Sequence, residues 1–369
     1  MRLRGTLERV AAAAAVLWTL GLLRLTLQGL AGGAWGSRWV VAGPEEALAD
    51  VVANLVAFAP LGAMLVGAGK SVTTATRVAF ALSAAIEVTQ GFAVPGRYAA
   101  VSDLLANTAG GCLGAWLAAQ ASQLVFPARR QAWQLAVIWA AAVAVALAGT
   151  TYLMQPGAPS AQYEGQHSED WHVARQDAHA VQQAWFNGRQ FEWGPLVDPA
   201  GASRALAEDR LRLEILLDPG EGPFALRRLA AVIGSDEDHE ILARLATARG
   251  DVRFSSRVRA TSWGLHPPFV RLESVIPPKS SIPRPPLQLG GAREAGLLAV
   301  WVRGPTGEVR RASLRLTPID GWMLVAPPVL VVRVGTVVAR ALAALLYFGP
   351  LAWWMAVALG WARRTTAPA

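Results

Sequence analysis

Cysteine and charge are what this chain has little of. One cysteine, Cys112, occurs in 369 residues, so no disulfide can form within the chain and the fold holds without one. Cys112 sits in an apolar run, where a free thiol is expected as a small core residue. Only 16% of residues are charged, well below the roughly 25% of a soluble globular chain. With 53% hydrophobic residues, a purely soluble, disordered or fibrous protein is excluded. Tyrosine is scarce too, four against fifteen tryptophans, and such an excess of indole suits either a membrane interface or a glycan-binding sandwich. Serine-nucleophile elbows, Walker loops, dinucleotide fingerprints and metalloprotease motifs are all missing, so no cofactor is expected.

The net charge of +8 is unevenly placed. Residues 155–326 hold 20 basic and 20 acidic side chains, and the remainder holds 14 basic and 6 acidic. The surplus therefore lies in the hydrophobic part, where topology-setting arginines belong. No basic stripe with interleaved aromatics accompanies it, so nucleic acid is not an expected partner.

A bilayer span takes about 20 mostly apolar residues. Five such stretches precede residue 155: Val10–Leu30, Ala47–Gly67, Ala75–Val94, Ser102–Val125 and Trp133–Met154. A sixth, Val329–Trp361, is too long for a straight crossing. Within it Val329–Arg340 is expected to be partly interfacial, with Arg333 and Arg340 snorkelling outward and the span proper beginning at Ala341. Arg24 and the later spans mark the first stretch as an uncleaved helix rather than a signal peptide.

Arg2, Arg4 and Arg9, then Lys70 and Arg77, then Arg129 and Arg130, then Arg363 and Arg364 all fall on one side if the spans alternate. Lys and Arg collect on the cytoplasmic side. The expected fold class is therefore an α-helical polytopic membrane protein of about six transmembrane helices, with an inserted extracytoplasmic β-sandwich or jelly-roll domain. The expected domains are 1–154, 155–326 and 327–369, with both termini cytoplasmic and the middle domain outside a bacterial inner membrane.

Polar side chains inside spans are costly and point to function. Asp50 and Asn54 are four apart at the start of the second span. Ser83, Glu87 and Gln90 share one face near the end of the third, and Asp103 and Asn107 are four apart at the start of the fourth. Arg97 lies in the short Pro95-Gly96 turn between these last two. With the topology above, all eight lie at one depth near the outer surface. Gly110 and Gly114 continue the face of Asp103 and Asn107 and invite close approach of another helix. Three readings stay open: a structural hydrogen-bond network with Arg97 neutralising Glu87 or Asp103, an acid–base or ligand site, and an ion or proton path.

These residues carry a resemblance. ADVVANLVAFAPLGAML at 49–65, SAAIEVTQGF at 83–92 and GRYAAVSDLLANTAGGCLG at 96–114 resemble the VanZ-like membrane family. That family carries N-x-x-x-F-x-P-x-G, S-x-x-x-E-x-x-Q, an Arg, and D-x-x-x-N-T-x-G. The matching positions are Asn54, Phe58, Pro60, Gly62, Ser83, Glu87, Gln90, Arg97, Asp103, Asn107, Thr108 and Gly110, within roughly residues 10–154. Members often have acidic residues three and five after the Arg. Here these are Ala100 and Ser102, which removes the carboxylates a cation site there would use. The resemblance implies a cell-envelope membrane protein of the type whose namesake is associated with resistance to teicoplanin. The expected partners are the bilayer and a glycan, peptidoglycan precursor or lipid-linked ligand at the outer face. The alternatives are an intramembrane enzyme, with Glu87 as acid or base and Arg97 as anion partner, and a transporter.

In residues 155–326, strand-like runs at Leu211–Leu217, Leu229–Ile233, Ile241–Ala246, Val252–Ala260, Phe269–Val275, Leu297–Val302 and Arg310–Leu316 are separated by Gly/Pro/Asp turns. Arg253, Ser255, Arg257 and Arg259 alternate with Val252, Phe254, Ser256 and Val258, which predicts a strand with one basic face. LRLEILLDP and DVRFSSRVRAT, with a glycine-turn strand pair between them, are similar to laminin-G/concanavalin-type jelly rolls, many of which bind glycans, some with calcium. Asp236-Glu237-Asp238-His239-Glu240 reads as a solvated turn before a Ca²⁺ site, and His167 and His172 as loop residues before metal ligands. No metal site is expected. Trp263, Trp301 and Trp322 read as core before sugar-stacking residues, and the proline-rich Pro277–Pro286 as an extended loop.

Overall fold

The computed structural model describes residues 2–27, 39–40, 48–94, 97–157, 163–167, 181–192, 194–217, 227–234, 241–248, 250–275, 285–326 and 335–361. The chain forms two compact units, residues 1–144 with 325–369, and residues 145–324.

The first unit is helical. Its elements are α1 (Arg2–Thr26), α2 (Leu48–Gly67), α3 (Val72–Ala93), α4 (Val101–Ala119), the short α5 (Ala121–Val125) and α6 (Arg129–Leu153). The fourth apolar stretch thus breaks at Gln120 instead of running on to Val125. Among the described residues, four helices are long and apolar enough to cross a membrane: Gly5–Thr26, Leu48–Gly67, Arg129–Leu153 and Thr336–Leu359. The polar-bearing α3 and α4 are not among them. Gly69, with φ of 82°, turns the chain out of α2. Ser71 then caps α3, its hydroxyl accepting the Thr74 amide at 3.1 Å.

Glycines set how closely the helices pack. A Cβ on Gly110 or Gly114 would run into the backbone of Leu55 or Ala59 in α2, and one on Gly62 into the backbone of Gly111. The Gly110/Gly114 face therefore lies directly against α2. Cys112, expected inside, is exposed on the other side of α4.

Two prolines sit inside helices. Pro60 in α2 has no N–H, and its ring presses on the carbonyl one turn earlier, opening the ladder there. Trp18 of α1 donates its indole N–H to the nearby Ala57 carbonyl at 2.9 Å. The same device recurs in the last helix, Thr336–Leu359, which contains Pro350. There Trp139 of α6 donates to the Tyr347 carbonyl at 2.8 Å. In both cases the acceptor lies three residues before the proline, next to the carbonyl that the missing N–H leaves without its helical donor. Trp353 and Trp354 of the last helix donate in turn to Val125 and Leu124, and Arg129 donates to Ala358. That helix starts at Thr336 and includes Arg340, so the described residues show no separate segment before Ala341; Arg333 lies outside them.

The second unit is built on two six-stranded antiparallel sheets. The first runs β11-β10-β9-β8-β3-β6 and the second β14-β13-β12-β7-β4-β5. In chain order the strands are β3 (Tyr163–His167), β4 (Val181–Phe186), β5 (Arg189–Phe191), β6 (Gly194–Pro195), β7 (Arg210–Leu217), β8 (Arg227–Gly234), β9 (Ile241–Ala248), β10 (Asp251–Ser256), β11 (Phe269–Leu272), β12 (Leu287–Glu294), β13 (Leu297–Arg303) and β14 (Val309–Arg315). The pair β1 (Trp39–Val40) and β2 (Ala99–Ala100) belongs to the helical unit. Leu211, Leu213, Ile215 and Leu217 of β7 are buried, as are Val252 and Phe254 of β10. The sheets meet face to face where Gly291 of β12 accepts the Phe254 ring, a fit that any Cβ would destroy.

The seven strand-like runs all lie in this unit, but the strands β3 to β6 and β12 add to them. A helix, α7 (Pro199–Ala207), capped by Asp198, was also not foreseen. The basic face expected for β10 does not appear: the strand ends at Ser256, and Arg257 is buried. The 236–240 and His172 positions and most of the 277–286 loop lie outside the described residues.

Arg293 is the largest fully buried side chain among the described residues of this unit. Its guanidinium pairs with Asp209 and donates to the Met154 carbonyl at 2.9 Å. Burial pushes its pKa down, and the Asp209 carboxylate opposes that shift.

Candidate functional site

The eight polar residues of the helical unit are placed by α2, α3, α4 and the loop before α4. Asn54 of α2 donates to Asp103 Oδ1 at 2.7 Å. Asn107, one turn further along α4, donates to Ser83 Oγ of α3 at 3.0 Å. Glu87, one turn further along α3, accepts the Ala100 backbone N–H at 2.8 Å. Three neighbouring bonds thus tie the N-terminal end of α4 to α2 and α3, and Ser83, Glu87 and Asn107 are buried in the process.

The Ala100 contact has a local cause. Ala99 and Ala100 form β2, pairing in parallel with Trp39 and Val40. This extended pair turns the Ala100 amide away from any helical partner, and the carboxylate takes it. Spacing of side chains alone gives no sign of such a bond, because its donor is backbone.

Two members stand apart. Gln90 donates to the Thr26 carbonyl at 2.9 Å, satisfying one of the orphan carbonyls at the end of α1 instead of joining the other three pairs. Asp50 is exposed in the first turn of α2 and takes no part in these bonds.

Arg97 and Asp103 are the charged groups acting on Glu87 through space. Arg97 Nε and Asn107 Oδ1 are both buried with no hydrogen-bond partner among the described residues. An unsatisfied buried polar atom costs about 1–3 kcal/mol. A donor on a cation and an acceptor on an amide, left open beside a carboxylate, can meet a ligand that offers both an anionic and a hydroxyl or amide group. Among the described residues no group of three or more His, Cys, Asp or Glu side chains could hold a metal ion.

Of the three tryptophans weighed above, Trp263 is 65% exposed. Trp301 is half-buried over Gly290, and Trp322 is half-buried with its indole nitrogen enclosed and without a partner among the described residues.

Four helices long and apolar enough to cross a membrane mark the first unit as a helical membrane domain. Residues 16–147 match the model of the VanZ/LLP1 family. Searches of curated proteins and of solved structures find no match.

Proposed function

We propose that this VanZ-type membrane protein binds the head group of a lipid-linked envelope glycan or peptidoglycan precursor at the outer leaflet, through Glu87, Arg97, Asp103 and Asn107. The observation that carries the reading is the pair of unsatisfied buried atoms, Arg97 Nε and Asn107 Oδ1, at the only place where α2, α3 and α4 all contribute polar groups among the described residues. In this reading α3 and α4 also cross the bilayer, giving six spans with both termini inside and the β unit outside. The four cation-rich connections support that topology. A connection to glycopeptide resistance follows only as far as the cluster's ligand is a cell-wall precursor.

Mass spectrometry of lipids and muropeptides co-purified with the intact protein tests the site. A retained glycolipid that is lost from Arg97→Met, in a variant that still inserts, is expected. Equal recovery from both proteins would overturn the reading. A chemically altered product would point instead to Glu87 as an acid or base. Topology is tested by single cysteines at positions 129 and 236 in a Cys112→Ser background; labelling of position 129 from outside intact cells would refute it.

A further inference from the structure

We infer that the 3₁₀ turn Arg259–Trp263, together with Tyr152, docks the β unit onto the anionic phospholipid headgroups of the bilayer that α6 crosses. α6 is one of the helices long and apolar enough to span a membrane, and its last residues, from Val145 on, belong to the second unit. A side chain in the final turn of such a helix falls at the membrane surface, where tyrosine and tryptophan collect. Tyr152 is in that turn and is 54% exposed.

The 3₁₀ turn is fastened to that helix end. The Arg259 guanidinium stands over the Tyr152 ring, 4.5 Å from its centre. The Arg259 backbone N–H donates to the Gln155 carbonyl at 2.9 Å, and Val258 forms a β-bridge with Pro156. Past the turn, the His266 N–H donates to the Leu324 carbonyl at 2.8 Å. Leu324 closely follows Gly321, where a Cβ would run into the Thr150 side chain of α6. Contacts on both sides of the turn thus lead back to the last turns of α6, and Arg259–Trp263 is held beside the point where that helix ends.

The hydroxyls of the turn are used internally, Thr261 donating to the Val258 carbonyl and Ser262 to the Arg259 carbonyl. What remains for a partner is the Trp263 ring, exposed where the sequence suggests a core residue, and the Arg259 guanidinium. Stacking on Tyr152 occupies the face of the guanidinium and leaves its edge N–H donors. Among the described residues no carboxylate pairs with Arg259. That edge matches a phosphate group, and an indole suits the boundary between headgroups and acyl chains. The charge around the turn is one-sided although residues 155–326 sum to zero. Between Asp251 and Glu273 the sequence has Arg253, Arg257, Arg259 and Arg271 and no acidic residue, and Asp251 and Glu273 themselves pair with Arg271. No carboxylate of this stretch opposes an anionic surface. The inference rests on α6 spanning the bilayer and uses no residue of the helical cluster, so it and the ligand reading can fail separately.

The full chain in lipid nanodiscs, with a polarity-sensitive fluorophore on Ser262→Cys in a Cys112→Ser background, tests the inference. Thr306→Cys carries the control label, in the exposed turn after β13, which leads away from the Arg293–Met154 contact. In phosphatidylcholine containing one third phosphatidylglycerol, acrylamide should quench the label at 262 several-fold less than the label at 306. A phosphatidylcholine spin-labelled high on its acyl chain should quench the label at 262 alone. Arg259→Gln should move the docked-to-free ratio read from acrylamide quenching about fivefold towards free, the weight of one arginine at an anionic surface. Trp263→Ala, on a ring that lies in solvent and bears no packing load, should move it the same way even if Arg259→Gln fails to fold. Equal acrylamide access at both labels, shielding without spin-label quenching (a cover of protein), shielding undiminished in pure phosphatidylcholine, or wild-type shielding in Trp263→Ala would each overturn the inference.

Discussion

Gly114→Ala adds one methyl group where α4 meets α2, and the structure lets its cost be worked out. The new Cβ would fall on the Ala59 carbonyl oxygen and lie 2.6 Å from the carbonyl carbon and 2.8 Å from Cα, against an ordinary contact of 3.4 Å or more. Backbone cannot rotate away as a side chain can, so α2 must retreat by about 1 Å, and overpacking of this kind costs about 1–3 kcal/mol or more. Alanine returns up to about 1 kcal/mol through helix propensity, so a net loss of about 2 kcal/mol is expected. The retreat also opens the Gly110–Leu55 and Gly62–Gly111 approaches on the same seam. Gly110→Ala/Gly114→Ala should therefore cost less than the two singles added, because the first separation already makes room for the second methyl. Gly21→Ala is the control, since nothing lies within 4 Å of a Cβ there; it should be neutral or slightly stabilising. Reversible unfolding in mixed micelles measures all four proteins. Equal stability of Gly114→Ala and Gly21→Ala would refute the close-packed seam.

In the β unit, Arg293→Met leaves the half-buried Asp209 carboxylate and the Met154 carbonyl without their cation, and thermal unfolding should show a loss of about 1–3 kcal/mol. Asn54→Ala and Asp103→Ala, combined in a double-mutant cycle on micellar stability, should show coupling of about 1–3 kcal/mol, since the bond has a charged acceptor; strict additivity would mean that the two side chains do not interact. Trp139→Phe keeps a smaller aromatic ring and removes the donor to Tyr347, so it should cost at least about 0.5–1.5 kcal/mol by the same unfolding assay.

The polar spacing along the helices was legible because helical periodicity fixes which side chains share a face. Asn54 with Asp103 and Ser83 with Asn107 are side-chain pairs, and each partner was visible as a costly group in an apolar run. The bond from Ala100 to Glu87 was not, because a backbone donor has no letter in the sequence. The same holds for the indole bonds to Ala57 and Tyr347. In the β unit, β12 escaped notice because Gly290 and Gly291 dilute its apolar pattern. Their absence of side chains is what admits Trp301 on one face and Phe254 on the other. The β4–β5 hairpin carried a plain signal, Asn187-Gly188, with both residues at positive φ, which alternation-based reading passed over.

The indole pairing across the two prolines also has a consequence in time. Trp18 and Ala57 are 39 residues apart, so the first proline helix finds its donor almost as soon as it is made. Trp139 and Tyr347 are separated by 208 residues, which at a synthesis rate of about 5–20 residues per second is a delay of roughly 10–40 s. Throughout that interval α6 holds an indole and the Arg129 guanidinium, and α5 holds the Leu124 and Val125 carbonyls, with their final partners still in the ribosome. The last helix is thus the piece that closes the membrane unit. A ribosome stalled anywhere in the β unit would leave behind an apolar helix with unmet polar groups, the kind of feature by which a membrane quality-control protease can recognise an unfinished chain.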